Sequence, residues 1–179
     1  MPTHARERLL KAAEELFYAE GIRAVGVERL LAASGVGRAS FYRHFPGKDD
    51  LVVAVVEEYG RRWLAWLREE VARRRDDPLA VFDVLAERFA ARDFRGCTAI
   101  TTMVETADPD SPAHRAAATH KAELTDYLAE LVDATGRSDP HGTAEHLVLL
   151  VDGAIVTALR ERSAAPAHRA RTLAAALLD

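Results

Sequence analysis

Residues 26–48 read GVERLLAASGVGRASFYRHFPGK, and this stretch decides the fold. Val27–Ser34 has the length and spacing of a short helix. Gly35-Val36-Gly37 interrupts it, Arg38–Phe45 resumes helical spacing, and Pro46-Gly47 ends the run. Two short helices meeting steeply across a tight turn form a helix-turn-helix, and the turn favours a residue that tolerates positive φ. Val36 can plug the space between the helices. Phe41 and Phe45, one helical turn apart, can anchor the second helix to a core. Arg38, Ala39, Ser40, Tyr42, Arg43 and His44 are then spread over its other faces. Small residues at 39 and 40 permit close approach to a groove, while Arg38, Tyr42 and Lys48 can reach phosphates or base edges.

Working outward, apolar residues recur at helical spacing almost throughout. Leu9, Ala13, Leu16 and Phe17 make residues 4–20 an amphipathic first helix that Gly21 closes. From Lys48 to about Arg74 the pattern is unbroken, a helix of roughly 40 Å. Asp77-Pro78, Ser111-Pro112 and Asp139-Pro140 each place a capping residue before a proline suited to the first helical position. They open predicted helices over about 78–93, 112–135 and 140–162. A short helix near 97–106 and a last one over 166–178 complete about nine, with no strand. The class is all-α: an N-terminal three-helix head over 1–47, a long fourth helix, and a helical domain over 48–179.

The net charge of −4 is unevenly distributed. Residues 1–48 carry eight Lys/Arg against five Asp/Glu, a net +3, and the remainder is net −7. A basic head on an acidic body suits a molecule that touches phosphate at one end. Cys97 is the sole cysteine, so no internal disulfide forms and a reducing cytoplasm is expected. No apolar stretch reads as a membrane span, and no secretory signal opens the chain. Enzyme chemistry finds no support: there is neither a glycine-rich phosphate loop after a strand nor a nucleophile elbow.

Residues 5–51 resemble the DNA-binding domain of the TetR (tetracycline-repressor-like) family. The resemblance rests on Arg8-Leu9-Leu10, Ala12-Ala13, Leu16-Phe17 and Gly21, then Gly35-Val36-Gly37, Phe41-Tyr42, His44-Phe45, Lys48 and Leu51. It implies a homodimer that sets two reading helices in successive major grooves of a pseudo-palindromic double-stranded operator. It also implies C-terminal helices that bind a small-molecule inducer and form the dimer, the ligand moving the fourth helix so that DNA is released. DNA contacts map by resemblance to Thr3 or Arg6, Val27 and Glu28, and to Arg38, Ala39, Ser40, Tyr42, His44 and Lys48. Two positions depart from the family pattern: Gly26 and Gly37 stand where hydroxyl residues are usual, so base and phosphate contacts fall mainly to Arg38, Ser40, Tyr42 and Lys48.

The effector site is less legible. Trp63 and Trp66 serve core packing, cavity lining or both. Phe82 and Met103 are candidate apolar walls with Glu105 as a polar handle, His120 either faces the same cavity beside Tyr127 or lies on the surface, and Cys97 is a further candidate. Cys97 also reads as a small buried hydrophobe. His114 and His120 are six apart and His141 and His146 five apart, neither pair at the spacing of a two-histidine metal site, so no metal or other cofactor is expected beyond the unidentified effector. Leu147, Leu150, Val151, Ala154, Ala158 and Leu177 form a stripe assigned to the dimer surface, the alternative being protomer core.

Overall fold

The computed structural model describes residues 4–179, and among them there are helices and no strands. The helices are α1 (Ala5–Glu20), α2 (Val27–Ser34), α3 (Arg38–His44), α4 (Lys48–Ala72), α5 (Ala80–Ala90), α6 (Thr98–Thr106), α7 (Pro112–Asp133), α8 (Pro140–Glu161) and α9 (Ala165–Leu178). The all-α expectation holds, and most ends fall within a residue or two of those predicted. The largest difference is α5. Asp77 Oδ1 accepts from the Leu79 N–H at 2.9 Å, so the Asp-Pro pair makes a local turn first and the helix starts at Ala80. Ser111 and Asp139 act as the predicted caps, their side chains accepting from the N–H groups of His114 and Gly142.

The chain packs into two compact units. The first joins residues up to 61 with residues 98–120, so by packing α6 and the start of α7 belong with the head. Leu9, Ala13, Phe17, Val25, Leu30, Val36, Phe41, Phe45 and Leu51 are buried in it. Val36 is the plug the sequence implied. The turn depends on Gly35, at φ +62 with its N–H donating to the Leu31 carbonyl. Gly37, at φ −71, needs no glycine. In the same unit α4 and α7 meet at Gly60, where an added Cβ would lie 3.0 Å from the His120 imidazole Nδ1 and 3.3 Å from its Cβ.

The second unit holds residues 62–97 and 121–179. Here α9 packs along both α8 and α5. Ala144, Ala154, Ala158, Ala167, Ala170 and Ala174 are buried on α8 and α9, and such small side chains let helix axes come close. Leu67, Val81, Phe82, Leu85, Leu124, Leu128, Leu147 and Val151 fill the core. Lys121, mostly buried, pairs with Asp152 of α8. By length and composition α8 is apolar enough to cross a membrane, which corrects the expectation that no stretch is. Its composition sums a buried alanine-rich face and an outer face bearing Leu149 and Val156.

The Gly60 contact generates a prediction. Gly60→Ala forces α4 from α7, because the His120 Cβ is fixed to backbone and cannot swing aside. A loss of about 1–3 kcal/mol is expected, read as a fall of several degrees in Tm. An unchanged Tm would show that the two helices adjust freely.

Candidate nucleic-acid interface

The candidate reading surface is built on a helix of seven residues. Phe41 is fully buried, and Phe45 lies 6.2 Å from it between ring centroids. Anchoring those two leaves Arg38, Ala39, Tyr42 and Arg43 exposed, with Ser40 and His44 half-buried. Tyr42 stands edge-on to Phe41 at 5.1 Å and is 48% exposed, so its ring is supported on one side while about half of the residue stays open to solvent. The Arg38 guanidinium forms an ion pair with Glu28 of α2. Val27 is half-buried. Neither Gly26 nor Gly37 caps its helix through a side chain.

Other predicted contacts are placed less simply. Arg6 is exposed, with its guanidinium 5.6 Å from the Phe45 ring centroid, a cation–π distance. Thr3 lies outside the described residues. The Lys48 Nζ donates to the Ile22 carbonyl at 2.6 Å. It therefore braces the α1–α2 connection, and a phosphate would have to use its remaining N–H donors. Spacing could not have revealed this brace, since 26 residues separate the partners.

The expected effector residues divide between the units. Met103, Glu105 and His120 belong to the first; Trp63, Trp66, Phe82, Cys97 and Tyr127 to the second. Glu105 is not a spare polar handle. Its Oε2 accepts from the Arg23 N–H at 2.7 Å, and an added Cβ on Gly21, at φ +89, would sit 3.0 Å from its Oε1. The carboxylate thus docks α6 on the α1–α2 connection. His120 is buried against Gly60. Phe82 is buried in the core of its unit and Cys97 is a half-buried free thiol. Trp63 and Trp66 are half-buried with ring centroids 6.3 Å apart. Tyr127 is 3% exposed, lies 4.2 Å beneath the Arg68 guanidinium, and its hydroxyl has no hydrogen-bond partner among the described residues. Arg68 in turn holds Glu130 at 2.7 Å and keeps that carboxyl below its ordinary range. Among the described residues no three His, Cys, Asp or Glu side chains cluster as metal ligands.

The dimer stripe needs correcting. Leu147, Val151, Ala154 and Ala158 are buried within the protomer, and Leu150 is half-buried. They face the protomer core because α9 and α5 pack on α8. Leu177 remains exposed, together with Leu149, Val156 and Leu173. Helical periodicity identifies an apolar face without saying which neighbour covers it, and α8 has apolar residues on both sides.

A small head whose exposed basic and aromatic side chains surround a buried phenylalanine anchor, followed by a long all-helical chain, defines a helix-turn-helix DNA-binding regulator. Comparison with known proteins gives the family. Residues 9–55 match the model of the bacterial regulatory proteins of the tetR family, and residues 79–173 match the LmrA/YxaF-like transcriptional regulator C-terminal domain. The chain belongs to the TetR family of transcriptional regulators and is not an enzyme. It is 26% identical to the HTH-type transcriptional regulator LmrA of Bacillus subtilis, over 90% of each chain. A TetR-family regulator from Streptomyces coelicolor superposes with a TM-score of 0.86 at 34% identity, covering 99% of this chain and 90% of that one. The reduced form of E. coli NemR shares the fold, with a TM-score of 0.86 at 22% identity over 95% and 94% of the two chains.

Burial pushes the Tyr127 phenol up to about 12, although Arg68 opposes the shift. In the unfolded chain a phenol ionises near about 10. Between these values the unfolded state has lost its proton and the folded state has kept it, so stability falls as pH rises through the window. Tyr127→Phe is expected to flatten this alkaline decline and to remove a late phenolate absorbance near pH ~12. Identical alkaline titrations of the two proteins would contradict the burial.

Proposed function

We infer that the protein is a ligand-released repressor that binds a pseudo-palindromic operator as a homodimer in the cytoplasm. The observation that carries this reading is the outer surface of α3, where Arg38, Ala39, Tyr42 and Arg43 are exposed around the buried Phe41. A helix of this kind, offering small residues for close approach and donors for base edges and phosphates, suits the major groove. The head over residues 1–47 supplies DNA contacts through Arg6, Val27, Arg38, Ala39, Ser40, Tyr42 and His44, with Glu28 beside them paired to Arg38 and Lys48 at its border. Residues 48–179 sense the effector and form the dimer.

The second copy covers the outer faces of α8 and α9. Leu149 is 70% exposed, Leu173 58% and Val156 53%, more apolar surface than a lone protomer usually leaves in water. The effector is a small, partly apolar molecule. Trp63 and Trp66 supply apolar contact, and the partnerless Tyr127 hydroxyl supplies a buried donor. Glu105, linking α6 to the α1–α2 connection, offers a route by which a shift of α6 would reach the head.

Selection of random duplex DNA by the purified protein is expected to enrich an inverted repeat with half-sites about one helical turn apart. Tyr42→Ala should weaken binding to that repeat roughly tenfold, the loss of one charge-assisted hydrogen bond. Unchanged affinity would remove Tyr42 from the interface. Leu149→Arg with Val156→Arg should give a folded monomer in sedimentation, and a persisting dimer would reject the α8 face.

A further inference from the structure

We propose that Glu28 is a positioning residue for sequence reading: its carboxylate on α2 holds the Arg38 guanidinium of α3 as a base reader and keeps it from the phosphate backbone. This rests on the assignment of α3 as the reading helix.

Arg38 is the first residue of α3. The N-terminal end of a helix carries a positive partial charge, so a guanidinium there is opposed by the peptide dipoles. Nothing on α3 offsets it, since its first turn has no acidic residue and Gly37 provides no side-chain cap. The compensating charge comes from another helix. Glu28 lies in the first turn of α2, where the dipole favours a carboxylate, and pairs with Arg38 across the motif. The two side chains are 57% and 74% exposed, and so open an ion pair contributes little to stability. Its effect is on what Arg38 can do.

The start of α2 strengthens the point. Gly26-Val27-Glu28 offers no hydroxyl for a phosphate and instead places a carboxylate beside the reading helix. Alone, that carboxylate would repel DNA. Paired, it cancels the charge of Arg38, which then releases no counterion. A free arginine swings on its flexible stem to the nearest phosphate. An arginine gripped on one edge keeps other N–H donors of its planar fork in a fixed direction, and two parallel donors match the O6 and N7 acceptors of guanine in the major groove. Glu28 thereby trades general affinity for discrimination.

The test selects random duplex DNA with the full chain as wild type, Glu28→Gln and Arg38→Ala, then measures binding to selected and random duplexes over a salt series. The wild type should enrich a motif with a strongly preferred G·C pair in each half-site. Glu28→Gln should lose at least about fivefold of the preference at that pair. It should also bind random DNA several-fold more tightly, with a salt slope steeper by about one phosphate contact. Arg38→Ala should lose the same preference without the gain on random DNA. Unchanged thermal unfolding of both variants is expected from so exposed a pair. If Glu28→Gln enriches the wild-type motif with the wild-type ratio of selected to random affinity, the pair is only a surface ion pair and the inference fails while DNA reading stands. Equal weakening on all DNA would make Glu28 a direct contact and also overturn it. If the wild type enriches nothing, the reading of α3 fails and this inference with it.

Discussion

Phe41 has no solvent exposure, and a helix of seven residues has no other secure means of staying folded. Isolated helices shorter than about 12–15 residues are marginal in water, so α3 exists because its apolar side is buried in the head. That burial also aims the rest of the helix. With Phe41 and Phe45 turned inward, the residues between and before them have only the outer faces left. The proposed DNA surface is thus a by-product of where two phenylalanines go, and the Gly35 turn with Val36 beneath it sets the angle at which they enter.

Around this anchor, the head is tied down by polar groups from distant parts of the chain. Lys48 holds the Ile22 carbonyl, and Glu105 holds the Arg23 N–H. Both act on the α1–α2 connection, a short segment whose own backbone would otherwise be satisfied by water. These bonds make α6 part of the same packed unit as the head, although about fifty residues of chain separate it from α3. A carboxylate bonded to backbone is directional, so a change in the placement of α6 would strain the connection.

Small residues do comparable work elsewhere. Gly60 admits the His120 side chain between α4 and α7, Gly96 at φ +97 leaves room for the Leu159 side chain, and the alanines of α8 and α9 permit close helix packing. The same economy exposes Leu149, Val156 and Leu173 on the outer sides of α8 and α9. Apolar residues on two opposite faces of one helix call for two different neighbours, of which the protomer supplies one.

By itself the sequence determined the helices, the turn, the buried phenylalanines and the outward residues of α3. All of these follow from spacing within a few positions, where the helical period leaves one arrangement. It also carried the family pattern of residues 5–51. Tertiary structure alone decided which apolar stripe of α8 faces inward, that Glu105 docks on the α1–α2 connection, that Lys48 braces Ile22, and that Arg38 is paired with Glu28. The reason is the same in each case. Helical period fixes which residues share a face but not what meets that face, and a charged side chain carries no mark of a partner ten or eighty residues away.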